Sequence, residues 1–199
     1  MLPRIAWSIV ALSLIACSEE GIDSDEEARR AYLGLDTSIG KCLTLGFAGF
    51  NTASSANIDP QTAPGDAAGT LTINGQVDQG ASTNKGMRLR VFMLAYDDGP
   101  FPVGEDDETI SIVYDTASTP ELQPALQLQL RDIPSGTFTG SLNGFYAVNG
   151  GVDGEIVLNL TMTGNLQAAG AGTERMPGST QVTGTVTSGN GVYQVALTL

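Results

Sequence analysis

Six carboxylates crowd into twelve residues: Asp97, Asp98, Glu105, Asp106, Asp107 and Glu108. Hard cations such as Ca²⁺ take six to eight oxygen ligands at about 2.3–2.6 Å, and a loop this acidic offers them, so these six are the candidate metal ligands. The alternating D-x-D-x-D-G order of an EF-hand is absent, and Pro100 and Pro102 stiffen the middle of the stretch. The competing reading is a solvated acidic loop that discourages association between sheet edges. Asp153-Gly154-Glu155 is a weaker version of the same pattern.

Other spacings look chemical and lack their partners. Ser38-Ile39-Gly40-Lys41 has the S-x-x-K spacing of a serine nucleophile with a lysine, yet neither Ser-Asp-Asn nor Lys-Thr-Gly accompanies it, and it reads as a capped, solvated helix face. Gly170-Ala171-Gly172 opens like a phosphate loop, but Arg175 stands where the third glycine belongs, which leaves a surface loop. Lys85, Arg88 and Arg90 form a basic cluster whose arginines share a strand face; cross-strand carboxylates or an anionic ligand are its candidate partners. Cys42 reads as a small buried apolar side chain, with a reactive thiol or an intermolecular bridge as alternatives.

The chain has no histidine, which removes Ser-His-Asp triads, Cys-His pairs, His-ligated metals and imidazole proton shuttles. Its carboxylates lie mostly in turns, not in a cleft where one could serve as acid and another as base. No enzymatic activity and no cofactor other than the calcium just considered is expected. With 22 Asp and Glu against 9 Lys and Arg and a net charge of −13, nucleic acid is not an expected partner.

The N-terminus carries the clearest signal. Met1-Leu2-Pro3-Arg4 precedes an apolar stretch from Ile5 to Ala16 that ends at Cys17. One positive charge followed by a run this short is a signal peptide, residues 1–16, because a bilayer crossing needs about 20 apolar residues. Leu14-Ile15-Ala16-Cys17 resembles the lipobox of bacterial lipoproteins. That resemblance implies that Cys17 is thioether-linked to diacylglycerol, cleaved on its amino side and N-acylated. Several acyl chains make such attachment effectively permanent. Ser18 in place of aspartate is compatible, in that family, with transfer to the outer membrane, so the implied address is a lipid-anchored outer-membrane protein.

The elements behind these residues follow from periodicity. Residues 17–23 form an acidic tether. Ser24 and Glu27 have capping-box spacing and start a helical segment over 24–52, with a first helix ending near Gly34 and a second carrying Ile39, Leu43, Phe47 and Phe50 on one stripe. Residues 53–69, rich in Ala, Ser, Asn, Pro and Gly, read as a loop. Residues 70–199 alternate with period two through about eight strands joined by short turns. This predicts a mainly β fold, an antiparallel meander with an N-terminal helical segment, either a curved sheet or barrel or else a sandwich. Glycines on the inward parity at Gly75, Gly140 and Gly184 favour the curved form. Apolar residues on both parities at the end of the strand over 87–96 call for a cover there, and the helix is the candidate.

Three roles fit an exported domain of this kind. The leading one is a non-enzymatic structural or protein-binding envelope lipoprotein, with the membrane and an unidentified envelope protein as partners. The second is a lipocalin-like carrier holding a small apolar ligand in a barrel interior, and the third is a calcium-binding envelope module.

Overall fold

The computed structural model describes residues 21–104, 108–170 and 172–199. Its single long helix, α1 (Asp25–Thr52), starts where the capping chemistry asks it to. The Ser24 hydroxyl accepts from the Glu27 N–H at 3.3 Å, and the Glu27 carboxylate accepts from the Asp23 N–H at 2.9 Å. Asp25, Glu26 and Glu27 complement the positive end of the helix dipole. Among the described residues no helix is long and apolar enough to cross a membrane.

The expected stop at Gly34 does not occur; α1 continues through Gly34, Gly40, Gly46 and Gly49. Three of these glycines are needed for space. A Cβ on Gly34 would lie 2.3 Å from the Tyr114 hydroxyl, one on Gly46 2.8 Å from the Met87 sulfur, and one on Gly49 2.9 Å from Ile58. Gly40 has nothing within 4 Å. The propensity lost at these positions is offset by the close approach of the sheet.

The strands are β1 (Asn57–Pro64), β2 (Ala68–Val77), β3 (Lys85–Asp97), β4 (Phe101–Pro102), β5 (Thr109–Ile110), β6 (Ile112–Asp115), β7 (Ala125–Arg131), β8 (Thr137–Gly150), β9 (Gly154–Ala169), β10 (Gly172–Arg175), β11 (Gln181–Ser188) and β12 (Gly191–Thr198). Ten of them form one antiparallel sheet, and β4 and β5 pair separately inside the β3–β6 connection. β6 and β7 both lie between β3 and β8, and β10 and β11 both lie beside β9, so the sheet is a meander eight strands across.

This architecture is the mainly β meander expected from the alternation, with β1 and the short strands β4 and β10 in addition. The stretch read as a loop over 53–69 contains β1 and the start of β2. β1 is an edge strand that buries one large side chain, Ile58, and accommodates Pro60 at a register shift between Ile58 and Gln61. An edge strand tolerates proline and needs little apolar character, which is why period-two hydrophobicity does not reveal it.

The sheet curves around α1. The helix packs against β1, β2 and β3 on one side and β10 and β12 on the other, so it spans the gap between the two edges, β1 and β12. Its buried stripe, running from Ala28 and Tyr32 through Leu35, Ile39, Cys42 and Leu43, joins the inward residues of the strands in one continuous core. The interior proposed for a carrier's ligand is thus occupied by the helix. Gly75 and Gly184 have φ of +134° and +146°, and a Cβ on either would lie 2.2 Å from a carbonyl oxygen of the adjacent strand. These are bends that a side chain would block. At the end of β3, Ala95 at φ +45° shifts the alternation so that Tyr96 points inward, and Leu94 is left exposed on the outer face, without the cover expected there.

The two kinds of helix glycine separate experimentally. In chemical denaturation, Gly34→Ala is expected to lose about 1–2 kcal/mol by displacing the buried Tyr114 hydroxyl from the Ala31 carbonyl. Gly40→Ala is expected to gain about 0.5–1 kcal/mol from helix propensity alone.

Candidate functional site

The described carboxylates of the acidic loop, Asp97, Asp98 and Glu108, do not form a metal-binding group. Asp97 ends β3 and turns back to accept from the Gly99 N–H and the Ser111 hydroxyl, each at 2.7 Å. Asp98 accepts from Lys41 at 2.6 Å and, on its other oxygen, from the Tyr96 hydroxyl at 2.7 Å. Glu108 is exposed, and Glu105, Asp106 and Asp107 lie outside the described residues. No three His, Cys, Asp or Glu side chains come together in metal-binding geometry among the described residues. Asp97 and Asp98 are engaged by protein donors, and the calcium ligand set expected from spacing is not assembled by them.

Ser38 and Lys41 are not a solvated helix face, as the sequence suggested. Ser38 is buried and donates to the Leu35 carbonyl at 2.6 Å. Lys41 reaches across to β1 and the β3 end, donating to Asp98, to Asp66 at 2.8 Å and to the Pro64 carbonyl at 3.2 Å. Burial alone would lower its pKa, but the hydrogen bonds to Asp66 and Asp98 outweigh that and hold it above the ordinary lysine value. This cluster ties the helix to the β1–β2 edge. On the opposite side Arg175 of β10 clamps Asp36 through two guanidinium nitrogens at 2.8 and 2.9 Å, while the Tyr32 hydroxyl donates to the same carboxylate at 2.9 Å. Gly172 opens β10, so the segment read as a phosphate-like surface loop is a hairpin into the strand that carries Arg175.

Cys42 is fully buried beneath these contacts. Burial first, and the Asp98 charge second, push its thiol up to about 12, so it stays protonated and unreactive near neutral pH.

The basic cluster divides. Arg88 pairs with Asp78 at 2.8 Å and Arg90 donates to the Gln123 carbonyl, both on the outer face. Lys85 points inward, in phase with Met87 and Leu89. Only 4 % exposed, its ammonium donates to the Gly80 carbonyl and lies 4.4 Å from the centre of the Phe50 ring. Lys85, Phe47 and Phe50 line an open cleft of about 400 Å³ between the last turns of α1 and the sheet mouth; Ile133, Pro134 and Ala168, with the polar Asn51 and Thr173, are among its other walls. This cleft was not anticipated from the sequence, although the parity of Lys85 with Met87, Leu89 and Val91 was a readable sign that it faces inward.

Cys17 lies outside the described residues, which begin at Gly21. Ile22, expected within a solvated tether, is 0 % exposed. Ser188 donates to its carbonyl at 2.6 Å, and Asn190 donates to the Gly21 carbonyl at 3.4 Å. The folded domain therefore begins by residue 21. Compared with known families, curated proteins and solved structures, the chain finds no match in any of the three.

Two measurements check this site. Asp98→Asn, which leaves Lys41 one carboxylate fewer in a largely buried position, is expected to cost about 1–3 kcal/mol in denaturant unfolding. In a chain carrying Cys17→Ser, Cys42 should resist a thiol reagent at pH 8 when native and react at once when unfolded in urea.

Proposed function

We propose that this chain is a lipid-anchored lipoprotein of the bacterial outer membrane whose folded domain has a non-enzymatic, structural or protein-binding role. The observation that carries the reading is where the fold begins relative to Cys17. Gly21 and Ile22 are docked against the β11–β12 turn, so three residues, at most about 14 Å of extended chain, separate the lipobox cysteine from the domain. Acyl chains on Cys17 thus hold this end of the domain at the headgroup surface on a short leash. Asp23, Asp25 and Glu26 stand exposed at the same end, and their repulsion from anionic headgroups keeps the domain from lying flat.

The outer face of β8, β9, β11 and β12 supports the binding half of the reading. In a chain of net charge −13, this face is built from Thr, Ser, Asn and Gln, with Glu155 as its one charged side chain. Across it Phe145, Val157, Thr187 and Val192 align in register, and Phe145, Val157 and Val192 are among the exposed large apolar residues. Depletion of charge around exposed apolar side chains is the composition of a protein-contact surface.

The anchor is tested directly. Expressed in a two-membrane bacterium, the parent chain should fractionate with outer membranes, and its mature N-terminal peptide should carry the mass of a diacylglyceryl thioether and an amide-linked acyl chain. Cys17→Ser should appear in the soluble fraction; its retention in the membrane, or an unmodified Cys17 in the parent, would overturn the assignment.

A further inference from the structure

We propose that the cleft at the sheet mouth binds a small anionic amphiphile, a molecule with a carboxylate head and a short apolar tail. This goes beyond the anchoring role and requires only the described fold, so either reading can fail without the other.

An ammonium withdrawn from water loses hydration that only a counter-charge or several hydrogen bonds restore. The other strongly buried cations have carboxylate partners: Lys41 has Asp66 and Asp98, and Arg175 has Asp36. Lys85, the most buried of them, has no carboxylate within ion-pair distance among the described residues. Its surroundings supply one carbonyl, that of Gly80, and one aromatic face, that of Phe50, for three ammonium protons. Asp78, across the β2–β3 hairpin, is already taken by the Arg88 guanidinium and the Gly86 N–H. An anion bound in the cleft supplies the missing partner.

The walls define the rest of the ligand. Phe47, Phe50, Ile133, Pro134 and Ala168 give apolar wall, Asn51 and Thr173 add uncharged polar groups, and a volume of about 400 Å³ lies within the range of about 300–1,000 Å³ typical of small-molecule sites. A single ammonium among largely apolar, otherwise uncharged walls suits a monoanion with a hydrocarbon tail. A phosphate dianion would call for a guanidinium fork or several backbone N–H groups, and none of the wall residues provides the fork. In a chain this acidic, a positive charge inside a concave apolar site also concentrates anions that the rest of the surface repels. The rival account is purely structural: α1 has no basic residue in its last turn, and Lys85 answers the negative end of the helix dipole. That role gives Lys85 no reason to discriminate among ligands.

The test uses the full chain carrying Cys17→Ser, titrated calorimetrically with decanoate and with 1-decanol, which share a tail and differ in the head. Decanoate is expected to bind about tenfold tighter or better, the ratio that a charge-assisted hydrogen bond confers. Lys85→Met keeps an unbranched apolar stem one atom shorter, removes the charge, and is expected to bring the ratio to about one. Ala168→Trp, at an exposed position on the rim, is expected to weaken both ligands while leaving Tm unchanged. Absence of binding, equal binding of the two ligands by the parent, or an undiminished decanoate preference in Lys85→Met would each overturn the proposal. Should Lys85→Met fail to fold, unweakened decanoate binding by Ala168→Trp would overturn it.

Discussion

Everything in this fold depends on the mutual burial of one helix and one sheet. α1 carries four glycines and an apolar stripe that needs cover, so it is not stable alone, and a curved sheet with an apolar concave face cannot leave that face in water. Each element is the other's core. The fit is close because the helix presents Gly34, Gly46 and Gly49 where Tyr114, Met87 and Ile58 come against it. The same constraint explains the open seam. β1 and β12 have no pairing to each other among the described residues, and α1 covers the interval between them. An edge protected by a packed helix is one of the ways a sheet avoids pairing with another chain.

Polar side chains fix the helix in that trough where apolar packing alone would permit sliding. Lys41 with Asp66 and Asp98 works on the β1–β2 side, and Arg175 with Asp36 and Tyr32 on the β10 side. Apolar contacts are non-directional, whereas a bidentate guanidinium pair admits one register. These two clusters lie one helical turn or so apart on α1 and pull toward opposite edges. Buried ion pairs contribute little net stability, so their contribution here is positional.

Much of the fold was readable from spacing. Inward residues such as Leu126, Leu128 and Leu130 on β7, or Ile156, Leu158 and Leu160 on β9, alternate so regularly that one face could only be core. The Ser24 cap and the inward glycines at bends were readable for the same reason: each answers to local geometry. What escaped depended on tertiary partners. β1 is a strand because β2 pairs with it, not because its own residues demand it. Gly34 continues a helix because Tyr114 occupies the space a side chain would take. Ile22 reads as tether until Ser188 and Asn190 are there to receive it. The candidate site was less readable still. The acidic residues at 97–108 look like ligands in the sequence, but Asp97 and Asp98 are held by donors far away in the chain, at Lys41 and Ser111. Lys85 looked like part of a surface cluster until the strand's parity separated it from its two arginines.

The placement of the two ends of α1 carries a consequence for how a membrane-held domain would work. The docked Gly21 and Ile22 lie at the start of the helix, and Phe47 and Phe50 belong to its last turns. At 1.5 Å per residue, Phe47 and Phe50 lie about 33–38 Å along the axis from the first residue of the helix. Chains on Cys17 would keep the first end at the bilayer, since the intervening segment is too short to let the domain invert. The cleft with its buried ammonium would then open on the aqueous side, several Debye lengths from the headgroups, beyond the reach of their surface potential. Capture there would draw on dissolved amphiphile rather than on membrane lipid, and the outer face of β8, β9, β11 and β12, with Glu155 as its one charged side chain, would be open to a neighbouring protein.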